Sequence, residues 1–184
     1  MLTMYKTTEG GIEELKSMEN GAWVKDVDPT PEEIQQLVQW DVDPEYINNS
    51  LDLDEMPRMV RDDDYTFILI RIPQRQPDSD VPYITIPLGI FIKGNMIVTI
   101  CRYEKEMFQA LANRKYRLLK TGKRYRFALY IFLETATRYL THLREINRIT
   151  EALEDQLQKS TRNREVLELL KYQKSLTYFA TALR

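Results

Sequence analysis

The side chains best placed to do chemistry are carboxylates, in three groups: Asp52, Asp54 and Glu55; Asp62, Asp63 and Asp64; and Asp78 with Asp80. Hard divalent cations such as Mg²⁺ take oxygen ligands and keep several of their waters, so one or two carboxylates can hold one. None of the groups has the spacing of an EF-hand loop. For each, the plainer reading is a solvated turn or strand end. The third group stands apart because it lies in a loop, residues 73–82, that a partner or an ion can reach.

Other chemistries are poorly supplied. A hydrolytic triad needs a base that orients a nucleophile. The only histidine, His142, falls on a helical stretch beside Thr141 and Arg144, with no partner constellation. The only cysteine, Cys101, ends a strand-like run and reads as a small buried apolar residue. One Cys and one His exclude a structural zinc site of the usual four-ligand type. No phosphate loop is present: Gly89 and Gly94 have the outer spacing, but Asn95 follows where a Lys belongs. The sequence therefore predicts no enzyme.

A basic stretch runs through Arg114, Lys115, Arg117, Lys120, Lys123, Arg124 and Arg126, with Tyr116 and Tyr125 interleaved. Such a pattern can grip nucleic acid. The rest of the chain is not basic, so a solvated segment or a contact with acidic residues is the stronger reading, and no nucleic-acid partner is expected. Residues 1–101 hold eight Lys/Arg against 19 Asp/Glu, whereas residues 102–184 hold 18 against nine. Such asymmetry suits two halves that attract each other, or an interaction surface.

The elements that must position these residues change character along the chain. All eight prolines fall between Pro29 and Pro87, and only Gly122 among the glycines follows Gly94. That pattern predicts irregular α/β structure first and long helix afterwards. Leu2–Thr7 and Ala22–Val27 read as short strands. Thr30-Pro31-Glu32-Glu33 is a capping box with proline at the first helical position, and starts a helix through Trp40. Asp43-Pro44-Glu45 starts a second helix, toward Leu51. Arg58–Asp63 and Tyr65–Ile72 read as paired strands, the second so apolar that it should be covered on both faces. Tyr83–Ile92 and Met96–Cys101 flank the turn Lys93-Gly94-Asn95. Glu104–Asn113 is a short helix.

From about Arg124 the pattern is helical. Leu140, Leu143, Ile146, Thr150, Leu153 and Leu157 recur every three or four residues. Val166, Leu169, Gln173, Leu176, Ala180 and Leu183 do so again after the break Ser160-Thr161-Arg162-Asn163. Two such helices form an antiparallel hairpin. The fold class is thus α/β (α+β): a mixed β-sheet between helical layers, then a long helical hairpin. The expected division is an α/β sheet domain over 1–122 and the hairpin over 123–184, as one structural unit. The last helix ends at Leu183-Arg184 without a cap, which favours a truncated chain. With 184 residues, 43% apolar and 29% charged, the composition is globular. The lone cysteine and the lack of a signal-like start point to a cytoplasmic location.

The order of features carries a resemblance. It runs from the helical insert to Leu51-Asp52-Leu53-Asp54-Glu55-Met56-Pro57-Arg58 and Asp64-Tyr65-Thr66-Phe67-Ile68-Leu69. It continues through the hairpin Pro87-Leu88-Gly89-Ile90-Phe91-Ile92 with Met96-Ile97-Val98-Thr99-Ile100, and the basic stretch. It closes on Leu153-Glu154-Asp155-Gln156-Leu157 and Glu165-Val166-Leu167-Glu168-Leu169-Leu170. This order resembles the N-terminal cytoplasmic domain of the CorA family of magnesium/cobalt transporters. The family's Gly-Met-Asn motif, at the end of its first membrane helix, does not occur in these residues.

The resemblance implies a regulatory and assembly domain of a channel-type Mg²⁺/Co²⁺ transporter, built as a homopentamer at the cytoplasmic face of the cell membrane. It implies that Mg²⁺ bound between subunits favours the closed pore. A family acidic loop falls near Asp78 and Asp80, which become the candidate half of such a regulatory site. The family's acids on the first long helix have no match here, where the sequence reads Thr135-Ala136-Thr137-Arg138. Membrane attachment would come through C-terminal helices absent from this chain, and the piece alone should be monomeric or weakly associated. The alternative is a free-standing soluble scaffold or partner-binding protein acting through its helical hairpin.

Overall fold

The computed structural model describes residues 1–77, 79–103, 106–112, 116, 118–159 and 163–183. Seven strands form one sheet: β1 (Leu2–Thr8), β2 (Gly11–Leu15), β3 (Trp23–Val27), β4 (Arg58–Arg61), β5 (Tyr65–Arg75), β6 (Tyr83–Lys93) and β7 (Met96–Cys101). Their order across the sheet is β2-β1-β3-β7-β6-β5-β4. Trp23 of β3 pairs with Ile97 of β7 in parallel. The β1–β2, β1–β3, β4–β5 and β6–β7 pairs are antiparallel. Helices α1 (Pro31–Gln39) and α2 (Pro44–Leu51) lie between β3 and β4 in the chain. Helices α3 (Glu106–Ala112), α4 (Arg124–Lys159) and α5 (Asn163–Ala182) follow β7. The mixed sheet with helical layers and a long terminal helix pair is the class predicted from sequence.

Two compact units divide the chain. The first is Met1–Arg71 with Ile86–Glu134, and the second is Ile72–Thr85 with Thr135–Arg184.

In the first unit, neighbouring residues of β3 show why the sheet is covered twice. Side chains alternate along a strand. Trp23 packs against Phe108 of α3 and Phe127 of α4, at ring separations of 5.9 and 4.9 Å. Val24, pointing the other way, joins a core with Leu37 of α1 and Tyr46 and Ile47 of α2. Both residues are fully buried. Each large apolar side chain so buried contributes about 1.5–3 kcal/mol.

Local chemistry sets the ends of the insert helices. Thr30 Oγ1 accepts from the Glu33 amide at 3.3 Å, and Glu33 Oε2 accepts from the Thr30 amide at 2.9 Å. The Asp43 carboxylate accepts from the Glu45 amide at 2.8 Å, with Pro44 at the first helical position of α2. Such caps contribute about 1 kcal/mol each. Strand prolines Pro73 and Pro87 stand just outside the β4–β5 and β6–β7 registers. The β4–β5 register ends at Leu69, before Pro73, and the β6–β7 register begins at Leu88, just after Pro87.

In the second unit, Tyr83 at the start of β6 is buried among aromatic and helical neighbours. Its ring lies 5.1 Å from that of His142 on α4 and 6.2 Å from Phe179 on α5. Its amide donates to Ser175 Oγ at 3.2 Å. Tyr139 and Phe179 meet edge to face at 4.9 Å, joining α4 to α5. The core here is Tyr83, Tyr139, Ile146, Phe179 and Ala182, flanked by Leu143 and Tyr172. On α4 the seam keeps Leu143 and Ile146 of the sequence pattern, whereas on α5 it differs in phase. Leu140, Val166, Leu176 and Leu183 are exposed, and the aromatic residues Tyr139, Tyr172 and Phe179 take the buried line instead. Aromatic side chains carry the larger burial gain and outvote the leucine periodicity.

Candidate metal site

The loop joining β5 to β6 is built from short local bonds. The Gln76 amide donates to Pro82 O at 2.7 Å, the Ser79 amide to Gln76 O at 3.1 Å, and the Val81 amide to Ser79 Oγ at 3.3 Å. Asp80 projects from this loop with its side chain 98% exposed. Asp78 lies outside the described residues. The Lys171 ammonium of α5 stands 3.9 Å from Asp80 Oδ1 and 3.0 Å from Glu168 Oε1. The hydrogen bond to Glu168 is the main reason the Lys171 ammonium holds its proton more tightly than usual, and Asp80 adds to it.

Charges alternate around this loop. Arg75 at the end of β5 lies 3.6 Å from Glu145 on α4. Burial pushes the Tyr83 hydroxyl far above the usual phenol range, and Glu145 adds to the shift. Burial also raises the Tyr172 hydroxyl, with Glu168 and Glu145 adding to it. His142 is part-buried, with Nδ1 3.9 Å from Glu145 Oε2.

The other acidic groups have local work. Asp52 Oδ1 accepts from the Asp54 amide at 3.0 Å, and Glu55 pairs with Arg58. The Arg71 guanidinium donates to the carbonyls of Leu53 and Glu55, at 2.8 and 2.7 Å, and ties that turn to β5. Asp62, Asp63 and Asp64 border a small cleft of about 230 Å³ that also carries Arg61 and Arg124. Among the described residues, no three His, Cys, Asp or Glu side chains are grouped so as to hold a metal ion. Cys101 is buried at the end of β7.

The tyrosines of the basic stretch are engaged within the fold. The Tyr116 hydroxyl donates to Glu134 Oε2 at 2.7 Å, and the Tyr125 hydroxyl lies 3.3 Å from Thr66 Oγ1. Arg114, Lys115 and Arg117 lie outside the described residues.

Two features escaped the sequence reading. One is Lys171, which no motif marks as a neighbour of Asp80. The other is Asp26 on β3, with a fully buried side chain. Burial and the nearby Glu33 carboxylate push its pKa up to about 6, against the lowering effect of the Met1 ammonium 3.3 Å away. The signal was present: Val24 and Asp26 share one face of a strand, so an acid sits on an apolar face.

The family model described as CorA-like Mg²⁺ transporter protein matches residues 19–184. The chain belongs to the CorA family. Among curated CorA proteins, the cobalt/magnesium transport protein CorA of Methanocaldococcus jannaschii is 31% identical over 171 residues. That match covers 88% of this chain and 51% of the relative. The solved structure of the soluble domain of CorA from M. jannaschii superposes with a TM-score of 0.84 at 24% identity. It covers all of this chain and 74% of that one. The complete M. jannaschii CorA magnesium transporter gives a TM-score of 0.82 at 22% identity, over 100% of this chain and 59% of that one. The chain thus spans about half the length of the curated CorA relative. Among the described residues, no helix is long and apolar enough to cross a membrane.

Set beside a divalent cation such as Mg²⁺, the loop offers a partial fit. Asp80 is one freely reachable carboxylate, and its neighbour Lys171 would have to yield to a cation. Mg²⁺ keeps waters and accepts one or two carboxylates. Asp80 by itself offers such an ion a single exposed carboxylate.

Proposed function

We propose that this chain is the cytoplasmic regulatory and assembly domain of a channel-type transporter for Mg²⁺, with Co²⁺ as a further cargo. It works as one of five like subunits, attached at the cytoplasmic face through segments outside these residues. The observation that carries this reading is the match to the CorA family over residues 19–184.

In this reading the domain senses intracellular Mg²⁺. Asp80, with Asp78 beside it in sequence, supplies one subunit's share of an ion site completed by its neighbour. A cation that binds only the symmetric closed arrangement shifts the population toward it by its differential affinity. As Mg²⁺ falls, the carboxylates separate and the pore opens. Lys171 tunes the response by holding Asp80 when the ion is scarce. Assembly is supported by exposed apolar residues, including Leu129 and Leu133 on α4 and Leu167 and Leu170 on α5.

The test uses the whole protein reconstituted in liposomes. Mg²⁺ entry that slows as Mg²⁺ rises on the side bearing this domain, together with a pentamer in native mass spectrometry, is the expected result. A reconstituted protein that moves neither Mg²⁺ nor Co²⁺ would overturn the transport reading. Transport that ignores Mg²⁺ on that side would overturn the sensing reading alone.

A further inference from the structure

A second cleft in the first unit, unrelated to the acidic loop, has the opposite charge. Three segments meet there: the β1–β2 turn at Thr7–Glu9, the residues Asn20 and Gly21 before β3, and residues 120–123 before α4. They border an open cleft of about 600 Å³. That volume is in the range of small-molecule sites.

The architecture fixes the lysines around it. The Thr7 amide donates to Thr121 Oγ1 at 3.0 Å, and the Thr121 amide donates to Thr7 Oγ1 at 2.9 Å. This reciprocal pair pins the 120–123 segment to the end of β1, and Thr121 is only 1% exposed. Lys120 and Lys123 flank that anchored threonine. Gly21, at φ +81°, approaches Gly122 so closely that a Cβ on Gly21 would stand 3.5 Å from the Gly122 Cα. Part of the wall is therefore bare backbone.

Two of the three rim lysines carry charge that no ion pair offsets. Lys6, the third lysine, is paired with Glu19 at 2.7 Å. Among the described residues Lys120 and Lys123 make no ion pair, and Glu9 is the one carboxylate lining the cleft. Two ammonium groups held on an anchored segment above an open cleft attract a compact multivalent anion. Lysine binds phosphate as a point charge and needs no planar partner geometry. A bounded cleft between three loops suits a small ligand better than a long polymer.

We propose that this cleft binds a small polyphosphate anion, either an inorganic polyphosphate or the phosphate tail of a nucleotide, through Lys120 and Lys123.

The test is a titration of the chain with tripolyphosphate, ATP and adenosine, followed by amide NMR and calorimetry. Tripolyphosphate and ATP should bind saturably and shift the amides of Thr7, Thr121 and Gly122, while adenosine should not. Equal affinity for the two would assign the site to inorganic polyphosphate; tighter ATP binding would assign it to a nucleotide. Replacing Lys120 and Lys123 by Gln should weaken binding about tenfold or more, and K174Q on α5 should leave it unchanged. A circular dichroism melt of the Gln variants matching the parent separates lost binding from lost fold. Absence of saturable tripolyphosphate and ATP binding, or equal loss in K174Q, would overturn the proposal. So would amide shifts that map outside the cleft.

Discussion

The Lys171 ammonium stands 3.9 Å from the Asp80 carboxylate. The two groups belong to α5 and the β5–β6 loop, and a cation arriving at Asp80 must displace or outweigh that ammonium. An exposed pair of this kind adds little to stability, so its removal is chiefly a change in ion affinity. Replacing Lys171 by Gln should leave the melting temperature in chelator within about two degrees of the parent. The same variant should enlarge the thermal shift produced by Mg²⁺. Replacing Asp78 and Asp80 together by Asn should abolish that shift. An unchanged shift in the double Asn variant removes the loop from any ion site.

Asp26 predicts a pH dependence of known sign. Its pKa rises from 3.8 to about 6 in the folded chain, chiefly through burial and then through Glu33. The folded state therefore binds the proton more tightly than the unfolded state. Its contribution favours folding at low pH and is lost as pH rises from about 4 through about 6. Replacing Asp26 by Asn should stabilise the protein by about 1–3 kcal/mol at neutral pH and have little effect near pH 4. Urea melts across this range check it, and a variant less stable than the parent at neutral pH refutes it.

Gly89 on β6 has no room for a side chain. A Cβ there would meet Ser50 Oγ at 1.8 Å, Ser50 Cβ at 2.8 Å and Phe67 at 3.2 Å. Ser50 is fixed in turn, since its hydroxyl donates to Tyr46 O at 2.6 Å. Gly89→Ala should cost about 1–3 kcal/mol by overpacking α2 against the sheet. Ser50→Gly in the same chain should recover part of that loss, so a double-mutant cycle will show coupling between the two sites. Strict additivity would mean that the strand shifts to relieve the contact.

Phe179 and Tyr139 hold α5 to α4. Phe179 is 2% exposed, and its truncation to Ala should cost about 3–5 kcal/mol in the second unit. Hydrogen exchange should then rise along α5 before it rises along β3 and β7. Leu176→Ala, at a position more than a third exposed, should change stability by no more than about 0.5 kcal/mol. Comparable losses from both substitutions would restore the leucine seam that the sequence pattern suggested.

That contrast shows what could be read from sequence. Features governed by neighbours along the chain were legible. Thr30 and Glu33 announce the start of α1, Asp43 and Pro44 that of α2, and Gly94-Asn95 turns β6 into β7. Strand β2 was missed because Gly-Ile-Glu-Glu-Leu has no clear alternation, and its identity comes from pairing with β1. The phase of α5 was missed because leucine spacing was weighed and the aromatic pocket around Tyr83 was not visible. The candidate loop could be located, since its acids and flanking prolines are local. The neighbour that qualifies it, Lys171, is brought there only by the fold. The buried position of Asp26 was missed, although an acid on an apolar strand face signals it, and its neighbour Glu33 depended on where α1 lands.

The parallel pairing of β3 with β7 also sets a schedule for the ribosome. Strands β1 to β3 are made early, but the strand that covers the inner edge of β3 begins at Met96, after both insert helices and three further strands. Until β7 emerges, the N-terminal strands carry an open edge, and Trp23 lacks α3 and α4. Pairings so distant along the chain form late, and exposed edges meanwhile invite association with other chains. The first unit can close only once Cys101 and the opening turns of α4 have left the exit tunnel. During synthesis, β3 thus waits for a partner strand made some seventy residues after it.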